Sequence, residues 1–145
     1  MAAESPTVFL DANILFSAAY DPDNRAAILL AEAREGRCIG LISPYAVEEA
    51  RRSLSKKRPE TVSSLDRWLR HLRIVPDAAP AQVRDAVARH LVPVEDAPIL
   101  AAALQAGAEY LVTGDRTHFG HLMDRAVAGL PLRVLSLAKA LTLFG

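Results

Sequence analysis

Cysteine is almost absent. Cys38 is the only one in 145 residues, which excludes an internal disulfide and any zinc site that needs two or more thiolates. A reducing, cytoplasmic setting is the expectation. Charge of one sign is missing too, because 17 Lys and Arg balance 17 Asp and Glu. That argues against the overall basic character of many DNA-binding domains and against an acidic disordered tail, while leaving room for a local patch. No apolar stretch approaches the ~20 residues of a membrane span, and Met1 to Pro6 has neither the basic nor the apolar segment of a signal peptide; no membrane association and no export are expected. The 7 Gly and 9 Pro are too few for a low-complexity chain. No G-x-G-x-x-G follows the first apolar run and no G-x-x-x-x-G-K occurs, which disfavours a nucleotide-binding module. G-x-S-x-G is absent as well, and with it the signature of a serine hydrolase.

What is present is enough for one domain over residues 1–145. A chain of this length buries roughly 68–70% of the surface its unfolded form exposes, so its core needs no staple. Short β-rich runs alternate with longer helical patterns. Thr7 to Leu10, Cys38 to Ile42, Arg73 to Val75, Tyr110 to Val112 and Arg133 to Leu137 read as strands buried on both faces. Between them, Arg25 to Glu35 has Ile28, Leu29 and Ala33 at helical spacing, with Asn24 to cap it and Gly36 to stop it. Ser43-Pro44 opens a second helix carrying Val47, Ala50 and Leu54 on one face. Further helices are expected over Pro59 to Leu72, Pro80 to Leu91, and from Ile99 to a stop at Gly107. This alternation predicts an α/β fold, a mostly parallel sheet of four to five strands between helical layers. In such sheets ligands collect beyond the carboxyl ends of the strands.

Those ends carry acids. The first strand runs into Asp11-Ala12-Asn13 and the fourth into Thr113-Gly114-Asp115; Glu48-Glu49 lies in the helix after the second strand, and Asp96 heads the stripe of Ile99, Leu100 and Ala103. At about 100° per residue, Glu48 and Glu49 lie equally far to either side of a centre between Val47 and Ala50, so periodicity leaves both open. Each acid has a plain reading: Asp11 and Asp96 as helix caps, Asp115 as a turn residue, Glu49 as a solvated helix residue. Their joint placement at one sheet edge says more. Carboxylates gathered there repel one another unless a cation neutralises them, and an all-oxygen set selects Mg²⁺ or Mn²⁺.

Three segments, V-F-L-D-A-N-I-L-F-S-A, S-P-Y-A-V-E-E-A-R-R-S-L and E-D-A-P-I-L-A-A-A-L-Q-A-G-A-E-Y-L-V-T-G-D-R-T-H-F, together resemble the PIN domain over nearly the whole chain and in the family's order. The chain looks closest to prokaryotic single-domain PIN proteins, among them the ribonucleases of VapC-type toxin-antitoxin pairs. The resemblance implies a three-layer α/β/α fold and Mg²⁺- or Mn²⁺-dependent cleavage of RNA. It matches Asp11, Glu49, Asp96 and Asp115 to the family's acids, with Asn13 and Thr113 in support and Glu48 as the alternative to Glu49. Asp11, Glu49 and Asp96 would hold one ion, and Asp115 would help to place a second or to orient the attacking water. One position departs: where many relatives have a further acid before the Phe, this chain has His118, read either as a weakened second metal site, a phosphate contact or a surface histidine. A cognate antitoxin and a homodimer, the latter drawing on Leu130, Leu132, Leu141, Leu143 and Phe144 unless these finish the core, are the partners expected by analogy.

RNA needs cations. Arg51 to Arg73 holds eight basic side chains against Glu60 and Asp66, and Arg51, Arg52, Lys56, Lys57 and Arg58 are the candidates to track a phosphate backbone. Trp68 lies among them at core spacing from Leu65, Leu69 and Leu72. Two other phosphoryl-transfer folds fit less well: a receiver domain wants paired acids after its first strand and a Lys near its last, and an aspartyl-phosphate phosphatase wants D-x-D, whereas position 13 is Asn. The non-enzymatic alternative is a PIN scaffold that binds RNA or protein without cutting.

Overall fold

The computed structural model describes residues 5–90 and 92–145. Its first strand, β1 (Thr7–Leu10), is buried from Val8 onward. A run without polar alternation is stable only when covered on both faces, and a central parallel strand between helical layers provides that cover. With β2 (Ile39–Ile42), β3 (Arg73–Ile74), β4 (Tyr110–Val112) and β5 (Arg133–Leu135) it forms one sheet of order β3-β2-β1-β4-β5, every pairing parallel. Val8 stands opposite Gly40 on one side and Tyr110 on the other. The chain works outward from β1 to β3, then returns to the far side of β1 for β4 and β5. Strand order therefore reverses between β1 and β4, and a crevice opens beyond their carboxyl ends.

The helices are α1 (Ala12–Tyr20), α2 (Arg25–Arg34), α3 (Pro44–Lys57), α4 (Val62–Leu69), α5 (Pro80–His90), α6 (Ala97–Gln105), α7 (Arg116–Phe119) and α8 (Leu137–Phe144), giving the three-layer α/β/α arrangement expected. Short polar residues start most of them: Asn24, Ser43 and Ser136 each accept a hydrogen bond from a first-turn N–H, as the capping preference requires. One buried apolar cluster runs from Val8 to Phe144. Leu54 and Leu65 are fully buried in it, each contributing about 1.5–3 kcal/mol relative to exposure. Gly40 is required by packing, because a Cβ there would meet Leu72 Cδ2 at 2.5 Å.

Several boundaries differ from the sequence expectation. The helix expected from Pro59 opens as a single 3-10 turn (Pro59–Thr61), and α4 ends at Leu69. The last strand stops at Leu135 because Ser136 turns out of the sheet to cap α8. The expected helix end at Leu91 lies outside the described residues. Ile28 is half exposed, since the buried stripe of α2 is Ala26, Ala27, Leu29 and Leu30. Near the C-terminus Leu130, Leu132 and Phe144 finish the core, Phe144 meeting Tyr110 edge-on at 5.4 Å, while Leu143 is exposed. Among the described residues no helix is long and apolar enough to cross a membrane.

Candidate functional site

At the β1/β4 switch point the chain leaves β1 at Asp11, whose backbone N–H still bonds Val112 O across the sheet at 3.0 Å. Its side chain is 4% exposed and fully engaged. Oδ1 accepts from Ala12 N at 2.7 Å, so Asp11 does cap α1; Oδ2 accepts from Thr113 Oγ1 at 2.8 Å and from Asn13 Nδ2 at 3.2 Å. Asn13 and Thr113 tie the two strand ends together: Asn13 Oδ1 accepts from Gly114 N and Thr113 Oγ1 from Asp115 N, both at 3.0 Å. The turn after β4 thus sets Asp115 beside Asp11. Asp115 in turn caps α7, its Oδ1 accepting from His118 N at 3.0 Å.

Asp11, Asn13, Glu49, Asp96 and Asp115 line one cleft of about 460 Å³, together with Phe16, Ser17, Ser53 and Lys57. Glu48 does not reach it. Its side chain is 64% exposed and faces Arg52 at 3.6 Å. The physical reason is a rotation of α3 relative to the stripe assumed from sequence: the buried residues are Ala46, Ala50 and Leu54, with Val47 only half-buried. About that centre Glu49 lies roughly 100° away, on the flank, and Glu48 roughly 160° away, on the solvent side. Glu49, Ser53 and Lys57 then follow at four-residue spacing as one stripe along the cleft.

Burial dominates the electrostatics. The Asp11 carboxyl is pushed up to about 6, first by desolvation and then by the charges of Asp96 and Glu49, against the lowering effect of its Thr113 and Ala12 hydrogen bonds. Asp96 is raised as well, by burial and by Asp115, Glu95 and Glu49, while His118 pulls it down. His118 is not a free surface histidine: its Nδ1 lies 2.7 Å from Asp96 Oδ2 and 2.9 Å from Asp115 Oδ2. Neither His118 Nδ1 nor Asp96 Oδ2 is reached by solvent, and neither has an aligned hydrogen-bond partner among the described residues. Unsatisfied acceptors among converging carboxylates are what a hard divalent cation satisfies, so the donor set fits such an ion.

Sequence reasoning passed over Tyr45. Its hydroxyl donates to Glu95 O at 2.8 Å and its backbone N–H to Asp77 Oδ1 at 3.0 Å, strapping the start of α3 to the loop that carries Asp96. Burial, reinforced by Glu49, pushes the phenol up to about 12, so it remains a donor at neutral pH. Its place four residues before Glu49 on the cleft stripe was the available signal.

The basic candidates separate. Arg51 pairs with Asp66 at 2.8 Å and Arg52 with Glu48. Arg58 donates to Tyr20 O at 2.6 Å, pairs with Glu60 and lies over the Tyr20 ring, which commits it to holding α3 against α1. Lys57 borders the cleft with its ammonium 5.4 Å from the Phe16 ring centre, and exposed Lys56 borders the adjoining hollow with Glu49 and Ser53. Trp68 is half-buried against the core under the Arg34 guanidinium.

The comparison with curated proteins gives no match. Among solved structures the fold is similar to VapBC2 from Rickettsia felis, crystallised bound to a DNA fragment from its promoter (20% identity over 90% of this chain and 98% of that one, TM-score 0.66). It is similar also to PAE2754 from Pyrobaculum aerophilum (18% identity, 96% and 89% covered, TM-score 0.67). A third likeness is to VapC20 from Mycobacterium tuberculosis, described as a sarcin-ricin loop cleaving toxin (15% identity, 87% and 98% covered, TM-score 0.61). A family model described as the PIN domain matches residues 7–117, which span β1, the cleft acids and the first residues of α7. The chain belongs to the PIN domain family, and its fold is that of the VapC toxin structures.

Proposed function

We propose that this protein is a divalent-metal-dependent endoribonuclease, and that it is the toxin of a toxin-antitoxin pair. The observation that carries the first part is the convergence of Asp11, Glu49, Asp96 and Asp115, from four separate elements, on one cleft at the point where strand order reverses. Asp11, Glu49 and Asp96 hold the cation, Mg²⁺ or Mn²⁺, and Asp115 completes the acidic wall on the β4 side. When bound, the ion supplies a more acidic water and positive charge against the phosphodiester oxygens. Thr113 and Asn13 fix the Asp11 carboxylate, and Lys57 and Lys56 offer cations to the neighbouring phosphates of the RNA backbone. The toxin role and an antitoxin partner rest on likeness to complexes such as VapBC2; a homodimer is a further expectation by the same analogy.

The test compares neighbours. Cleavage of RNA with Mn²⁺ or Mg²⁺ should be lost in Glu49→Gln and retained in Glu48→Gln, and EDTA should abolish it in the native protein. Equal activity in the two variants would overturn the site. Metal binding without cleavage of any RNA would favour the non-catalytic scaffold. Expression without a partner gene should arrest growth, and the Asp96→Asn protein should not.

A further inference from the structure

The cleft contains one ligand-type side chain that is not an acid. We infer that His118 Nδ1, with Asp96 and Asp115, forms a mixed nitrogen and oxygen cation position, and that this makes the protein select Mn²⁺ over Mg²⁺. The inference rests on the reading of the four acids as a metal site and adds which ion the site prefers and why.

Three features of the geometry carry it. First, the ring is held in place: the His118 backbone N–H bonds Asp115 Oδ1, and the side chain folds back one turn so that Nδ1 faces Asp115 Oδ2 at 2.9 Å and Asp96 Oδ2 at 2.7 Å. Capping occupies Asp115 Oδ1, which leaves Oδ2 to face the cleft. Second, these short contacts are not hydrogen bonds. Nδ1 and Asp96 Oδ2 are both inaccessible to solvent and neither lies along the other's bonding direction. A close but misaligned approach is what donors aimed at a common point produce. Third, the spacing is right. Neighbouring ligands on an octahedral ion with bonds of 2.0–2.1 Å stand about 3 Å apart, close to the separations here. Glu95 can offer a further oxygen, since one ligand atom each from Glu95, Asp96 and His118 lie within 4.8 Å of one another.

The choice of ion follows from donor chemistry. Where the family places a further carboxylate, an imidazole removes one negative charge and supplies a softer donor. Mg²⁺ depends on charge and oxygen and loses by the exchange; imidazole suits first-row transition ions, and Mn²⁺ accepts both imidazole and carboxylate.

The experiment reads the metal rather than turnover. Mn²⁺ is titrated into the whole protein, affinity is followed by the electron paramagnetic resonance of the free ion, and pulsed resonance on the bound ion detects directly coordinated nitrogen. The native protein should show nitrogen coupling. His118→Gln should lose it and bind Mn²⁺ about 10-fold more weakly, with Mg²⁺ affinity little changed. His118→Asp should lose the coupling and bind Mg²⁺ more tightly than the native protein does. Melting curves without metal identify a variant that fails to fold, in which case His118→Asn replaces His118→Gln. Bound Mn²⁺ without nitrogen coupling, or the same ratio of Mn²⁺ to Mg²⁺ affinity in native protein and His118→Gln, overturns this inference and leaves the acidic site standing. Native protein that binds no Mn²⁺, or binds it no better than Asp11→Asn does, overturns both.

Discussion

The acids of the cleft and the bases between Arg51 and Arg73 assemble in opposite ways. Asp11, Glu49, Asp96 and Asp115 are scattered through the chain yet share one crevice. The eight bases are sequence neighbours, yet they disperse. Arg51 and Arg58 are taken up by Asp66, Tyr20 and Glu60; Arg67 borders a crevice with Trp68 and His71; Arg70 and Arg73 border another beside Gly36 and Gly40. Only Lys57 lines the acidic cleft, with Lys56 beside it. A site is made where strand ends converge. A charge run on successive helices is turned to several faces by the helix period and neutralised by local partners.

The largest effect should come from breaking the acidic side. Asp11→Asn or Asp96→Asn is expected to reduce divalent-dependent RNA cleavage by about 10²–10³ or more, the scale for loss of a key electrostatic group, with the circular dichroism spectrum unchanged. Activity near the native value in either variant would break the assignment.

Next comes the stability of the metal-free protein against pH. Asp11 has a carboxyl raised to about 6 when folded, against 3.8 for the ordinary group. The native state therefore keeps a proton that the unfolded chain releases between about pH 4 and 6. Stability is fullest below that window and falls as pH rises through it, by about 3 kcal/mol for a shift of about two units. Denaturant melts from pH 4 to 7 should record the fall, Mn²⁺ should offset it, and Asp11→Asn should flatten it.

On the basic side, Lys56→Glu with Lys57→Glu is expected to weaken RNA binding about 10-fold at low salt and to flatten its dependence on salt. Arg51→Glu should leave that affinity nearly unchanged. If it weakens binding as much as the lysine pair does, the bases act as one surface after all. Smallest is Arg58→Ala, which should cost about 1 kcal/mol of stability through its bond to the Tyr20 carbonyl and leave RNA binding intact. A urea melt together with a binding isotherm separates these two outcomes.

The strands were readable because apolar runs such as Thr7 to Leu10 and Tyr110 to Val112 have no alternation, and a strand buried on both faces has no other way to be written. Asp11 and Asp115 were readable for the same reason, as the first polar residues after two such runs. Glu49 was harder. Val47 is large and apolar, so it drew the assumed stripe towards itself, while small Ala46 gave little weight to the true one. The contact of His118 with Asp96 could not be read from sequence, because nothing local says that the turn after β4 brings α7 against the start of α6. Tyr45 was hidden likewise: its partners, Asp77 and the Glu95 carbonyl, are distant in sequence.

The sequence by itself determined the order of elements, the parallel α/β class and a set of acids close to strand and helix ends, because periodicity, caps and apolar runs are local. Only the tertiary structure decided which of two adjacent glutamates reaches the cleft, that His118 joins it, and that most of the arginines are engaged elsewhere. Those outcomes depend on helix rotation and on contacts between distant segments, which are fixed when side chains of different elements compete for the same space.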